Sequence, residues 1–152
     1  TKTHIHQEAY RLKTPASPHY SAEIDGVNID LESIKTPDTN NNLIVEGAGG
    51  LMVPLNRNDL IIDLIEKLQL PVILVSKNYL GSINHTLLSI AMLQSRNIEI
   101  KGIIFNGKKT PSTEEIILHF SKIPCLGFVE NETTVDKSMI KKYADKFAKV
   151  LL

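Results

Sequence analysis

Three stretches place chemistry-bearing residue types directly after short apolar runs. The first is Glu46-Gly47-Ala48-Gly49-Gly50, which follows Leu43-Ile44-Val45. A carboxylate at the end of a buried apolar strand is costly unless something cationic faces it. Hydrated magnesium beside a nucleotide is one such partner in sheets that handle phosphate. Glycines let the backbone approach a ligand closely and leave main-chain amides open to anionic oxygens. A strand end with a flexible turn, its acid paired to a lysine, is the plainer account. Three glycines within four residues favour the ligand site.

The second stretch follows Val72-Ile73-Leu74-Val75 and reads Ser76-Lys77-Asn78-Tyr79-Leu80-Gly81-Ser82-Ile83-Asn84-His85. It runs straight into helical periodicity, so a helix starts near Gly81 or Ser82. The first amides and the positive dipole end of such a helix can hold a small carboxylate without any basic side chain. Taken alone, an ordinary cap by Ser82 with His85 exposed explains the same residues. The third stretch, Asn106-Gly107, follows Gly102-Ile103-Ile104-Phe105. An asparagine amide offers the donor and acceptor that match the N6/N7 edge of adenine. An Asn-Gly turn accounts for the pair equally well.

Other candidates carry less. His4 and His6 are two residues apart, but no further ligand types cluster near them. No Gly-x-Ser-x-Gly elbow occurs, so a hydrolase triad has no support. Cys125 sits in the apolar run Cys125-Leu126-Gly127-Phe128-Val129 and reads as inert core.

The elements that must position these residues follow from the pattern. Up to about Lys35 the chain is polar and interrupted by Pro15 and Pro18, which predicts a loop and short helical pieces. Thr36 to Asn42 is a turn-rich connector. From Leu43 onward, four short β-branched runs alternate with helical stretches near 59–69, 83–96, 113–122 and 136–151. The last has Ile140, Tyr143, Ala144, Phe147, Val150 and Leu151 on one stripe. Ser112 with Glu115 resembles a capping box opening the third helix. Runs that are apolar throughout predict strands buried on both faces, hence a parallel sheet with right-handed helical crossovers. The expected fold is a three-layer α/β domain over 1–152, a mostly parallel sheet with helices on both faces. Ligands in such sheets bind beyond the carboxyl ends of the strands, where the three stretches fall.

Composition narrows the function. The 152 residues hold 17 Lys plus Arg against 17 Asp plus Glu, a net charge of zero that argues against nucleic acid or an anionic membrane as partner. No apolar run approaches the roughly 18 residues of a membrane span, and no apolar core of a signal peptide occurs early. The single cysteine excludes an internal disulfide framework and suits a cytoplasmic setting. The helix with Ile83, Leu87, Leu88, Ile90, Ala91, Met92 and Leu93 is apolar over much of its circumference, which suits deep burial or a subunit interface.

In order and spacing these segments resemble the dethiobiotin synthetases, ATP-dependent carboxylases of the biotin pathway. The resemblance runs from about Tyr10 to Gly127 and rests on Thr14-Pro15-Ala16-Ser17-Pro18-His19, Val45 to Gly50, Leu70 to Val75, Leu80 to Leu88 and Phe105-Asn106-Gly107. It implies a P-loop NTPase-like fold and a homodimer. It implies carboxylation of diaminopelargonic acid with carbon dioxide or bicarbonate, phosphorylation of the carbamate by ATP, and closure of a cyclic urea with release of ADP and phosphate. It also implies that Glu46 binds Mg2+, and that Glu46, Gly47, Ala48 and Gly49 lie along the nucleotide phosphates. Asn106 and Gly107 are implied at adenine. The turn Gly81, Ser82, Ile83, Asn84 is implied to bind the substrate carboxylate across the dimer interface.

The sequence also departs from the family. No Gly-x-x-x-x-Gly-Lys-[Ser/Thr] motif occurs, Thr1-Lys2-Thr3 lacks the preceding glycines, and an early aspartate is missing. After Gly127, Val129-Glu130-Asn131-Glu132 replaces a proline-containing adenine loop, which leaves the nucleotide preference open. The expectation is therefore a carboxyl-terminal part of such an enzyme, its first strand and P-loop absent, with no catalytic residue of its own and no activity in isolation. The alternatives are a non-catalytic relative serving as a dimeric ligand-binding module, or another P-loop relative such as an amidoligase or partitioning ATPase. The Gly81–His85 segment argues against the last.

Overall fold

The computed structural model describes residues 5–151. Thr1-Lys2-Thr3 and His4, with the expectations attached to them, lie outside the described residues. The chain divides into two compact units, with the division between Leu70 and Pro71.

The second unit carries the sheet. Strands β1 (Val72–Lys77), β2 (Ile100–Asn106) and β3 (Cys125–Val129) are parallel in the order β1-β2-β3. Helix α3 (Ser82–Ser95) connects β1 to β2, α4 (Pro111–Ser121) connects β2 to β3, and α5 (Lys137–Leu151) follows. Side chains alternate between the two faces of a strand, and the two faces here have different covers. Ile103 and Phe105 of β2 are buried with Ile90 of α3 and Ile117 of α4, and Leu74, Cys125 and Phe128 pack against them. On the opposite face a Cβ at Gly127 would stand 2.8 Å from the Phe147 ring, so α5 lies directly on β3. The expected layers, helix on sheet on helix, are present.

Burial is less complete than the apolar runs imply. Ile73 and Val75 of β1 are exposed, because α5 covers the β3 end of its face and leaves the β1 end open. The stripe of α5 is also narrower than expected: Tyr143 is buried and Phe147 half-buried, while Ile140 and Val150 are exposed. The start of α4 corrects the capping box. Pro111, with φ fixed and no amide to satisfy, opens the helix, so Thr110 is the cap position. Glu114, not Glu115, folds back, its Oε1 accepting from Thr110 N at 2.9 Å.

The first unit contains α1 (Pro18–Asp25), a 3-10 turn (Leu31–Ser33) and α2 (Ile61–Leu68). Ala22, Ile29, Leu55 and Ile61 form its core, with Tyr10, Leu12, Val53 and Leu64 packed around them. Asn56 builds the turn before α2: its Oδ1 accepts from Asn58 N at 2.7 Å and Asp59 N at 2.8 Å. Asp63 accepts from Leu60 N at 2.7 Å and closes the helix start. Leu43-Ile44-Val45, expected as the first strand, is irregular, and Ile44 and Val45 are exposed. An apolar, β-branched run becomes a strand only by pairing its backbone. Among the described residues no strand partners this one.

Candidate functional site

The carboxyl edge of the sheet gathers two of the three expected stretches. Register pairs Lys77 with Asn106 and Asn106 with Val129, so all three strands end at one level. The residues just beyond are tied together: Asn78 N donates to Asn106 O at 3.2 Å, and Gly107 N donates to Val129 O at 2.8 Å.

From this edge the chain turns into α3. Gly81 takes φ +103°, a conformation that favours glycine, and its carbonyl accepts the first helical bond, from His85 N at 3.1 Å. Ser82 N donates to Tyr79 O at 3.0 Å. Ile83 and Asn84 follow on the exposed first turn, ahead of the regular i to i−4 ladder. Ser82 does not cap the helix. It is the first helical residue, and its hydroxyl is buried without a hydrogen-bond partner among the described residues. His85 is exposed, as expected, with Nδ1 hydrogen-bonded to the Tyr79 hydroxyl. Ser76 Oγ and Thr86 Oγ1, 2.8 Å apart and both buried, pin the first turns of α3 to β1.

Asn106 and Gly107 stand one strand over. Gly107 has φ +104°, and a Cβ there would lie 3.7 Å from Asn131 Oδ1. Asn131 belongs to the departing segment, which α5 holds. Tyr143 Oη accepts from Glu130 N at 2.9 Å and donates to Glu132 Oε1 at 2.7 Å, and Lys142 Nζ reaches the same oxygen at 2.7 Å. These bonds, that of Lys142 first, hold the Glu132 carboxyl below its ordinary pKa, and Glu132 raises that of Lys142. Sequence reasoning gave this segment no structural role; the pairing of Tyr143 with Glu132 across eleven positions leaves no local signal.

Glu46, Gly47, Ala48 and Gly49 lie in the first unit, all exposed and without regular structure. Gly49 has φ +82°, and a Cβ there would sit 2.9 Å from Val53 Cγ2, so no other residue fits this turn without displacement. Ala48 and Gly49 line a hollow of about 320 Å³ with Thr14, Ala16, Ser17, Pro18, Ser21 and Val53. The Thr14–Pro18 motif thus joins the glycine turn, a role not read from the sequence. Asp25 fixes that motif: its carboxylate accepts from the amides of Lys13 and Thr14 and, at 2.7 Å, from Thr14 Oγ1. Led by the Lys13 amide, these bonds lower its pKa.

A magnesium ion is held by one or two carboxylates together with water and substrate phosphates. Glu46 is exposed beside an exposed glycine turn and would offer one such oxygen donor, so the residues present fit that mode. No group of three or more His, Cys, Asp or Glu among the described residues forms a protein cage. Cys125 is half-buried and its thiol pKa is raised by burial, in keeping with the inert reading. No described helix is long and apolar enough to cross a membrane.

A parallel sheet flanked by helices, with a helix start and an amide at one carboxyl edge, is an α/β arrangement of the P-loop NTPase-like kind. The AAA domain family matches residues 1–139. An ATP-dependent dethiobiotin synthetase of Christiangramia forsetii is 52% identical over 145 residues, 95% of this chain and 70% of the relative. The enzyme of the same name from Cytophaga hutchinsonii is 50% identical over 143 residues, 93% of this chain and 69% of that protein. That of Bradyrhizobium diazoefficiens is 52% identical over 121 residues, 79% of this chain and 57% of that protein. The chain belongs to the ATP-dependent dethiobiotin synthetase family.

Proposed function

We propose that the chain serves an ATP- and Mg2+-dependent ring closure in biotin biosynthesis, in the cytoplasm and as a homodimer. Diaminopelargonic acid takes up carbon dioxide on one amine. The carbamate accepts the γ-phosphoryl group of ATP, and the second amine attacks the activated carbonyl, expelling phosphate and leaving ADP and dethiobiotin. The observation that carries the reading is the shared sheet edge, where the Gly81–Asn84 turn and Asn106-Gly107 leave adjacent strands in register.

Each group then has a defined task. The amides of Ile83 and Asn84 and the Asn84 side chain hold the substrate carboxylate, and the Gly81 turn gives it close backbone approach. Asn106 reads the adenine edge, and Gly107 keeps the base clear of a side chain. The glycine turn Gly47–Gly49 presents backbone to the phosphates, with Glu46 the magnesium ligand. Magnesium, when bound, neutralises charge developing on the transferred phosphoryl group.

The name that these relatives share, ATP-dependent dethiobiotin synthetase, favours an enzyme over a non-catalytic binding module. The test is ADP release from ATP with bicarbonate, with and without diaminopelargonic acid, by the protein translated from its full reading frame. Release that depends on the diamine supports the reading. Nucleotide binding without diamine-dependent release favours the binding module.

A further inference from the structure

We infer that Glu114 and Asn78 form a positioning pair that sets the spacing between the Gly81–Asn84 turn and the Asn106-Gly107 end; this deepens the functional reading above and rests on it. Glu114 is the one charged residue among the buried described residues, 5% exposed. A carboxylate is placed at such a position only with strong compensation. Its Oε1 accepts from Asn78 Nδ2 at 2.6 Å and from Thr110 N at 2.9 Å. Asn78 Nδ2 also donates to Lys108 O at 3.0 Å, and Asn78 N donates to Asn106 O at 3.2 Å.

One residue is therefore fastened three times, to the end of β2, to the loop after it and to the first turn of α4. Asn78 is the first residue beyond β1 and lies three positions before Gly81, so these bonds fix where the turn into α3 begins. Capping α4 does not require this arrangement. A serine, threonine or aspartate at the cap position serves a helix start locally, whereas Glu114 reaches a partner 36 residues away in the chain. The tie also leaves a cost unrepaired. With the amide nitrogen directed to Glu114 and Lys108, Asn78 Oδ1 is buried without a hydrogen-bond partner among the described residues. Buried unsatisfied acceptors are rare and mark places where position outweighs stability.

Neither residue is assigned contact with substrate; both act through the two segments they join. A loosened tie lets the carboxylate turn drift relative to the base-facing end, and small misplacements of this kind weaken productive binding steeply.

The test is steady-state ADP release by the full-length protein, with the diamine and ATP varied separately, well below the melting temperature of each variant. Glu114→Ala and Asn78→Ala are expected each to raise the KM for diaminopelargonic acid about tenfold while shifting that for ATP less than about twofold. Glu114→Gln keeps an acceptor oxygen and is expected to stay within about threefold of wild type. The double alanine variant is expected to be no worse than either single one, since both remove the same tie. If Glu114→Ala does not fold, Asn78→Ala with Glu114→Gln carries the comparison. Lower melting temperatures with an unchanged KM for the diamine, or additive effects of the two alanines, overturn the inference. A wild-type protein without diamine-dependent ADP release is a separate result: it overturns the functional reading, and the positioning role with it.

Discussion

Glu46 is exposed and lies outside both helix and core, so its removal separates chemistry from folding. Glu46→Gln is expected to lower magnesium-dependent ADP release at least about tenfold, with stability within about 0.5 kcal/mol of wild type by denaturant unfolding. Equal losses of activity and stability would remove the metal role. Asn84→Ala is expected to raise the KM for diaminopelargonic acid and leave nucleotide affinity nearly unchanged; the reverse would place the substrate elsewhere. Asp25 makes a pH prediction. Its folded pKa is lowered by the Lys13 and Thr14 bonds, so the stability it supplies is fully present above the ordinary carboxylate pKa, about 4, and is lost as pH falls through the folded value. Asp25→Ala should therefore melt below wild type at neutral pH, and the gap should close in strong acid. A gap that stays constant with pH would show that lost packing, not the carboxylate, is responsible. At this scale the sequence was readable where a residue's place in the fold follows from its position after an apolar run: Gly81 precedes α3 and Asn106 ends β2. It was not readable for Ser82 and Glu114, whose roles depend on one residue of helix register and on partners distant in the chain.

The strands β1 to β3 and all four helical stretches after Leu43 were legible because each carries its own period and each finds partners. Leu43-Ile44-Val45 is as apolar and β-branched as the start of β1 but has no paired backbone among the described residues, so composition misled there: strand formation is a property of the pair. The sheet's close contacts make element-scale predictions. A Cβ at Gly102 would lie 2.5 Å from Leu126 Cγ and 2.8 Å from the backbone oxygen of Pro124. Backbone cannot swing aside as a flexible side chain can, so Gly102→Ala should force β2 and β3 apart and cost about 1–3 kcal/mol, read as a lower denaturant midpoint. A neutral result would show that the two strands are not held at this separation. Tyr143→Phe removes one hydroxyl that serves two partners, and should lower the denaturant midpoint, chiefly through the stranded Glu130 amide, since Glu132 keeps its bond from Lys142. Faster amide exchange at Glu130 in that variant would locate the loss in the segment after β3; protection equal to wild type would refute the clamp.

For the molecule as a whole, the open question is what covers α3. Ile90 is buried in the core over the sheet and Leu93 is buried as well, yet Leu88 is 60% exposed, Ile83 is 39% exposed and Leu80, just before the helix, is fully exposed. Apolar residues on that many sides exceed what a helix packed on one face requires. Large apolar side chains left exposed next to a proposed substrate turn suit an interface. A second copy of the chain is the occupant that the homodimer reading supplies, and Leu88 is the residue to change, since it can leave α3 intact while charging its outer face. Leu88→Lys should shift the protein from dimer to monomer by sedimentation velocity at concentrations where wild type is dimeric. The Gly81–Asn84 turn is proposed to serve the partner's site, so the same variant should raise the KM for diaminopelargonic acid without altering nucleotide affinity. Raising the protein concentration should then restore the lower KM by mass action, a recovery that a purely local defect cannot show. A wild-type protein that is monomeric and fully active at assay concentration would separate the exposed face of α3 from catalysis altogether.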